Sequence, residues 1–259
     1  ESMQCNWGIL GPGYVATRAV IPAIQQIPGA HVLAVASSNK ERAQVVSAQF
    51  GIERAYSSYQ ALLDDSNLHA VYIALPNHLH REWTIRAAQA GKHVLCEKPL
   101  AMNASECDEM IAACQKARVL LMEAVMYRFH PRMIHLKQML AAGELGDIRF
   151  LHTAFSFFFN APNNYRAHPE FGGGALLDVG SYCVNAARWL IGAEPQEMQA
   201  NISYSRKLDV SASAVLRFEL DVFAHIQCSF VAAEHQVIEV VGRTGAVTAP
   251  LAFTAWRED

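Results

Sequence analysis

The sequence predicts two α/β domains, the first on a doubly wound parallel sheet and the second on a large, mostly antiparallel open sheet. Three observations carry this prediction. Short, wholly apolar runs alternate with helical stretches through the first half, and a glycine-rich turn follows the first of them. Beyond a long helix in the second half come consecutive runs rich in β-branched and aromatic residues. With 259 residues, 52% of them hydrophobic and 17% charged, the chain has material for a substantial core and two domains. The boundary is expected near Glu123, giving domains 3–122 and 123–259.

In chain order, strands are expected at 5–10, 31–36, 70–75, 93–96 and 119–122, with helices at 14–26, 40–50, 78–90 and 104–116. All-apolar strands alternating with helices indicate a parallel sheet covered on both faces. The second half begins with a helix at 131–142, a strand at 148–159 and a helix at 175–191, followed by strands at 199–204, 212–220, 224–231 and 237–241. Consecutive strands with short turns read as antiparallel. The triplet Phe157-Phe158-Phe159 reads as core and sheet-face packing rather than an aromatic substrate box. Phe155, Phe157 and Phe159 share one face of their strand, and Val215, Ile226, Cys228 and Phe230 add apolar patterning. Ser156 and Phe158 interrupt a simple alternation, so which of these residues face outward stays open. A broad uncovered apolar sheet usually marks an interface, which predicts a homodimer through this sheet, or a homotetramer built from two.

A net charge of −3 offers no basic field for nucleic acid or an anionic membrane. No apolar run is long enough to span a bilayer and no signal peptide opens the chain. Glu1 and Ser2, ahead of Met3, read as an expression remnant and are set aside. The six cysteines include no C-x-x-C pair and sit mostly in apolar surroundings, as expected of reduced thiols in a cytoplasmic protein. His78 and His80 without a third nearby ligand argue against a metal.

The turn "GPGYVA" gives Gly11-x-Gly13-x-x-Ala16, with Tyr14 and Val15 opening the helix. Gly11 permits the tight turn, Gly13 lets a pyrophosphate approach the backbone, and Ala16 permits close helix–sheet packing, the signature of a Rossmann domain. The helix N-terminus adds unpaired N–H groups and partial positive charge. A cofactor with a free ribose 2′-hydroxyl usually meets an Asp or Glu after the second strand. Here Ser37 and Ser38 stand in that place, with Lys40 and Arg42 just beyond. Hydroxyls and cations suit a 2′-phosphate, so NADP is expected over NAD.

"GILGPGYVA", "ALPNHLH", "AGKHVLCEKPLA" and "GGGALLDVGSYCVNAARWLIG" together resemble the glucose–fructose oxidoreductase, inositol dehydrogenase and MocA (Gfo/Idh/MocA) family, in family order across nearly the whole chain. The resemblance implies a Rossmann domain, an open-faced α/β domain, and hydride transfer between a nicotinamide and a small-molecule sugar, polyol or diol. Inositol-dehydrogenase-like members carry His four residues after the catalytic Asp. Tyr182 stands there in this chain and "LMEAVMYRFHPR" (121–132) spans the boundary, so it is most similar to the xylose dehydrogenase and dihydrodiol dehydrogenase-like branch. Family members are usually longer, and a closing strand and helix of the second sheet are expected to be absent from this sequence.

Within that resemblance Lys98 is the expected catalytic cation. Pro99 biases it toward an extended backbone at the carboxyl end of its strand, where open α/β sheets bind ligands. Asp178 and Tyr182 form an i, i+4 pair on one helical face, and the three glycines before them permit close approach of backbone to substrate. Tyr182 is expected to accept the hydroxyl proton. Bringing a phenol from a pKa of about 10 toward neutrality takes about 3–4 kcal/mol, and an ammonium on Lys98 acts in that direction. The converse assignment, with Lys98 transferring the proton and Tyr182 donating a hydrogen bond, stays open. So do two roles for Asp178, orienting the lysine or holding a sugar hydroxyl. Pro76, Asn77 and His80 match the family's Pro-Asn-x-x-His stretch and imply nicotinamide-side contacts. Glu97 is counted with the cofactor residues, with pairing to a neighbouring cation as its structural role. Arg128 and His130 after the boundary, and Tyr165 in the loop 160–171, are the expected substrate contacts. An NADP-dependent sugar oxidoreductase, acting on an aldose such as xylose, is the leading expectation. A nucleotide-sugar ketoreductase, a trans-dihydrodiol dehydrogenase and a non-catalytic NADP-binding regulator are the alternatives.

Overall fold

A computed structural model describes residues 4–254. Glu1, Ser2 and Met3, set aside or used as a domain start above, and the last residues of the second domain, 255–259, lie outside the described residues. The chain divides into two compact units, Glu1–Ala124 and Val125–Asp259, two residues beyond the expected boundary. Among the described residues each unit holds one six-stranded sheet.

The first unit runs β1 (Cys5–Leu10), α1 (Ile21–Gln25), β2 (Ala30–Ala36), α2 (Lys40–Phe50), β3 (Arg54–Tyr56), α3 (Tyr59–Leu63), β4 (Ala70–Ile73), α4 (His80–Gln89), β5 (His93–Cys96), α5 (Ala104–Ala117) and β6 (Leu121–Glu123). The strand order is β3-β2-β1-β4-β5-β6, all parallel. β4 is buried along its whole length, as a strand covered on both faces must be. The side chains of Asn39 and Asn103 cap α2 and α5 by accepting from the N–H groups of Arg42 and Glu106. β3 and α3 escaped the sequence reading because three and five residues carry too little periodicity to register.

The edge strand β3 is tied down by a polar cluster. Asp65, whose side chain is 4% exposed, accepts from Arg54 Nη1 at 2.6 Å and from the Tyr56 hydroxyl at 3.0 Å. Burial pushes the Asp65 carboxyl up, but Arg54, the Asn67 N–H and Tyr56 outweigh it and hold it down at about 2.

The second unit runs α6 (Pro131–Ala141), β7 (Ile148–Ser156), α7 (Ser181–Ile191), β8 (Glu197–Ser205), β9 (Leu208–Arg217), β10 (Phe223–Ser229), β11 (His235–Gly242) and β12 (Ala246–Pro250). The order β12-β11-β7-β10-β9-β8 is antiparallel except for the parallel β7–β10 pair. The expected helix 175–191 is a π-helical segment, Leu176–Gly180, continued by α7. Its buried face, Tyr182, Cys183, Ala186, Ala187 and Leu190, joins the core with Leu151, Ile226, Ile238 and Val240 of the sheet.

The structure decides which face the aromatic pattern occupies. Phe155 lies in this core, stacked on Phe253 with centroids 5.4 Å apart, and Phe157 and Phe159 pack against the same cluster. Ile226, Cys228 and Phe230 also point inward. The opposite face carries Phe150, His152, Val215, Phe223, His225, Gln227 and Glu239, more polar than expected.

The β3 cluster gives a pH-dependent test. A carboxylate with a depressed folded-state pKa stabilises the fold above the unfolded value of about 3.9 and loses that contribution as pH falls through its folded value. The urea midpoint of Asp65→Asn should fall below wild type by a constant amount between pH 7 and pH 5. The gap should close as the pH is lowered from about 4 toward about 2. A gap independent of pH would show that the carboxylate charge is not what holds the strand.

Candidate active site

In the first unit the predicted cofactor residues gather beyond the carboxyl ends of β1, β2, β4 and β5. The strand order reverses between β1 and β4, the crevice where open α/β sheets bind ligands. Gly11 has φ +84°, and a Cβ there would lie 2.9 Å from the Ala74 carbonyl oxygen and 2.7 Å from Leu75 Cδ2. At Gly13 a Cβ would meet no protein atom closer than 3.9 Å. The protein's own packing leaves that space open, as an approaching pyrophosphate needs. Ala16 is fully buried, whereas Tyr14 and Val15 are exposed. Ser37 is buried and its hydroxyl accepts from the Asn39 N–H, leaving exposed Ser38 for a ribose. Arg42 Nε and Nη2 donate to the Pro12 carbonyl at 3.2 and 3.0 Å. This contact, which spacing alone does not reveal, brings a guanidinium from α2 onto the glycine turn. The donor set fits an NAD(P) cofactor: a cradle at Gly13, hydroxyl and guanidinium where a carboxylate would select NAD.

Lys98 is held by its neighbours in sequence. Glu97 accepts from the Tyr72 hydroxyl at 2.5 Å, and its N–H donates to the Ile73 carbonyl. The Lys98–Pro99 bond is cis. The Pro99 carbonyl meets His80 Nδ1 at 2.9 Å, and the Leu100 N–H donates to Glu123 Oε1 at 2.9 Å. Glu97 is thus engaged by a buried phenol and by the Lys98 N–H, which donates to its Oε2 at 3.2 Å. One expectation changes here. His80 is fully buried, with Nε2 2.8 Å from the Leu75 carbonyl, so its ring is a brace inside the protein and not a nicotinamide contact. Burial pushes His80 below its ordinary range, with the charge of Lys98 acting in the same direction against the pull of the carbonyls. Asn77 is also buried, and Pro76 is half-buried.

In the second unit Asp178 and Tyr182 lie one turn apart across the π-to-α junction, both buried. Asp178 Oδ2 accepts from Arg166 Nε at 2.7 Å, a partner the sequence reading did not assign. The glycine triplet explains how Arg166 arrives. A Cβ on Gly173 would stand 2.5 Å from the Arg166 carbonyl oxygen and 2.7 Å from that of Tyr165. Gly174, at φ +115°, donates its N–H to the Arg166 carbonyl at 3.0 Å. The glycines therefore admit the chain's own backbone at 165–166, which replaces the expected approach of substrate. Asp209 at the start of β9 accepts from the Leu176 N–H at 2.7 Å and anchors the helix start.

The Tyr182 ring packs among Tyr127, Phe155 and Phe253, and its hydroxyl lies 3.5 Å from Met126 Sδ. Tyr165 lies under the Arg166 guanidinium, 5.0 Å from its ring centroid. Two expected substrate contacts have other work. Arg128 lies over the Trp189 ring at 5.2 Å, and His130 Nδ1 caps α6 by accepting from the Arg132 N–H. Among the described residues no group of three or more His, Cys, Asp or Glu is placed to hold a metal ion, and no helix is long and apolar enough to cross a membrane.

Comparison with known proteins agrees with this geometry. Residues 5–125 match the oxidoreductase family with an NAD-binding Rossmann fold, and residues 133–248 match the GFO/IDH/MocA C-terminal domain. Among the most similar relatives is D-xylose 1-dehydrogenase (NADP(+)) 2 of Haloferax volcanii, 40% identical over 95% of this chain and 76% of that protein. The aldose-aldose oxidoreductase of Caulobacter crescentus, solved with glycerol, superposes with a TM-score of 0.92 at 32% identity, covering 97% of this chain and 78% of that one. The 3-ketoreductase KijD10 of Actinomadura kijaniata, solved with NADP and TDP-benzene, gives 0.92 at 33% identity with the same coverage of 97% and 78%. The chain thus spans about three quarters of the length of these relatives. It belongs to the Gfo/Idh/MocA oxidoreductase family.

Proposed function

We propose that this Gfo/Idh/MocA oxidoreductase uses NADP to oxidise the hydroxyl of a sugar, an aldose such as xylose, with the reverse reduction proceeding through the same groups. The observation that carries the reading is Lys98, braced on both sides at the same carboxyl edge of the sheet as the glycine turn, two strands away. A protein that only sensed NADP would not need such a cation. The xylose and NADP of the haloarchaeal relative, and the aldose chemistry of the Caulobacter enzyme, support the substrate class.

Gly11, Gly13 and the helix start would hold the pyrophosphate, and Ser38 with Arg42 the 2′-phosphate. When bound, the cofactor supplies the hydride acceptor. Tyr182 takes the hydroxyl proton onto its phenolic oxygen as the carbonyl forms. The ammonium of Lys98 stabilises the negative charge developing on the substrate oxygen. Asp178, held by Arg166, keeps the face of its helix polar beside Tyr182, and Tyr165 contributes to the sugar site. The six cysteines are free, which supports a reducing, cytoplasmic setting.

We also propose that the chain forms a homodimer through the sheet face opposite α6 and α7. Exposed Phe150 and Phe223 border a concavity of about 530 Å³ there, lined also by His152, His225, Gln227 and Glu239.

Three measurements test these readings. Fluorescence titration should show NADP binding more tightly than NAD, and Ser38→Asp should reverse the order by placing a carboxylate against the 2′-phosphate; equal wild-type affinities would discard the assignment of Ser38 and Arg42. Lys98→Ala should lower kcat for xylose oxidation by about 10²–10⁴ while NADP affinity stays within a few-fold, and near-normal turnover would remove Lys98 from the chemistry. Light scattering at micromolar concentration should give twice the subunit mass, whereas a value near 28.6 kDa rules the dimer out.

A further inference from the structure

Arg166 is a cation placed directly against the Asp178 carboxylate, its Nε 2.7 Å from Oδ2. Its position is built rather than incidental. Its carbonyl receives the Gly174 N–H, a side chain at Gly173 would collide with that same carbonyl, and its own N–H donates to Asn164 Oδ1 at 3.0 Å. Its side chain is 27% exposed and that of Asp178 6%, so the pair lies where solvent screens little. Burial alone would lower the proton affinity of the guanidinium. Asp178 outweighs that, and the nearby hydroxyls of Tyr165 and Tyr182 also favour the cation. Geometry carries the same link: Asp178, which holds the guanidinium at 2.7 Å, stands one helical turn before Tyr182, and a positive charge held there favours the phenolate.

We infer that Arg166 is a positioning residue for proton transfer, an electrostatic partner that sets the proton affinity of Tyr182 from within the second unit, with Asp178 as its counterweight. The inference rests on the proposed role of Tyr182 as proton acceptor. Among the described residues, the titratable and charged groups near Tyr182 in this unit include Arg166 and Tyr165 on the preceding turn, Asp178 on its own helix and Tyr127 across the ring contact. Tyr127 donates its hydroxyl proton to Asn185 Oδ1 at 2.7 Å. Phe155, Phe253 and the Met126 thioether complete the surroundings and carry no charge.

The arrangement predicts opposite effects for the two members of the ion pair. Arg166→Gln removes the cation and exposes the carboxylate of Asp178, and both changes disfavour phenolate. Asp178→Asn leaves the guanidinium uncompensated and favours it. Oxidation of D-xylose by NADP should rise with pH along a limb set by Tyr182. That limb should move up by about one pH unit in Arg166→Gln and down in Asp178→Asn, the low end of what a neighbouring charge produces. Arg166→Lys keeps the charge and should leave the limb within a few tenths of a unit, whatever it does to kcat.

The same shifts should appear without turnover, in ultraviolet tyrosinate titrations of the full chain from which the Tyr182→Phe titration has been subtracted. A variant too slow to assay is thereby still measured. A purely structural ion pair would lower kcat in both variants and leave the limb and the titration unmoved, which overturns the inference. If Tyr182→Phe keeps the wild-type limb, the proton-acceptor reading of Tyr182 fails instead, a result distinct from unmoved variants in a chain whose limb does depend on Tyr182.

Discussion

Asp178 is a carboxylate with 6% of its side chain exposed, and the ordering of the second unit's site follows from the need to pair it. Burying a charge costs several kcal/mol unless it is paired and hydrogen-bonded, and Arg166 supplies such a contact. For the guanidinium to arrive at 2.7 Å, the backbone at 165–166 must dock against the start of the helix. That docking is possible only where the helix start has no Cβ to collide with the incoming carbonyls, which is the position of Gly173. Gly174 then adopts φ +115°, and a Cβ there would stand 1.9 Å from the Asp209 carboxylate that anchors the helix. One buried charge thus dictates an arginine, two glycines and an anchoring aspartate. Substitution at any of them would disturb Asp178 without touching it.

The two units reach a similar local solution from different directions. The glycine turn of the first unit and the Asp178–Tyr182 pair of the second each sit at the start of a helix whose opening segment is π-helical, Ala16–Val20 and Leu176–Gly180. Such segments are rare and frequent at functional sites, because the wider turn re-aims side chains that a regular helix would stack. In each, glycines ahead of the helix remove Cβ atoms where something must come close. The identity of the visitor differs. At Gly13 the space is open to a ligand, whereas at Gly173 it is filled by the chain itself.

That difference explains which parts of the site were legible in the sequence. The parallel sheet, the glycine turn and the Asp178–Tyr182 pair are local patterns, encoded in periodicity and fixed spacing, and all were readable. β3, α3 and β12 are too short to establish a period; β3 is secured by Asp65 from beyond the next helix. Arg166 lies in a loop without periodicity, and its partner is known only once the loop folds back. The most specific misreading concerned the glycine triplet, since absence of a Cβ announces a close approach without naming what approaches. The alternation of Phe155, Phe157 and Phe159 correctly assigned them to one face. It could not say which face, because α7 had not yet been laid on the sheet.

His80 shows how the same physics positions Lys98. Its two ring nitrogens lie 2.9 and 2.8 Å from two carbonyl oxygens, of Pro99 and Leu75. A neutral imidazole has one N–H to give, so the two carbonyls compete for it, while burial and the nearby ammonium oppose a second proton. The ring nonetheless spans the loops that follow β4 and β5 and fixes the distance between them. With Glu97 bonded to Tyr72 on one side and Leu100 to Glu123 on the other, the backbone around Lys98 is immobilised before any ligand arrives. The bracing removes the cost of about 1–2 kcal/mol per residue that ordering a mobile loop would add when substrate binds. Proline after the lysine and a buried histidine opposite it are therefore two parts of one device. It lets a flexible side chain act from a rigid base.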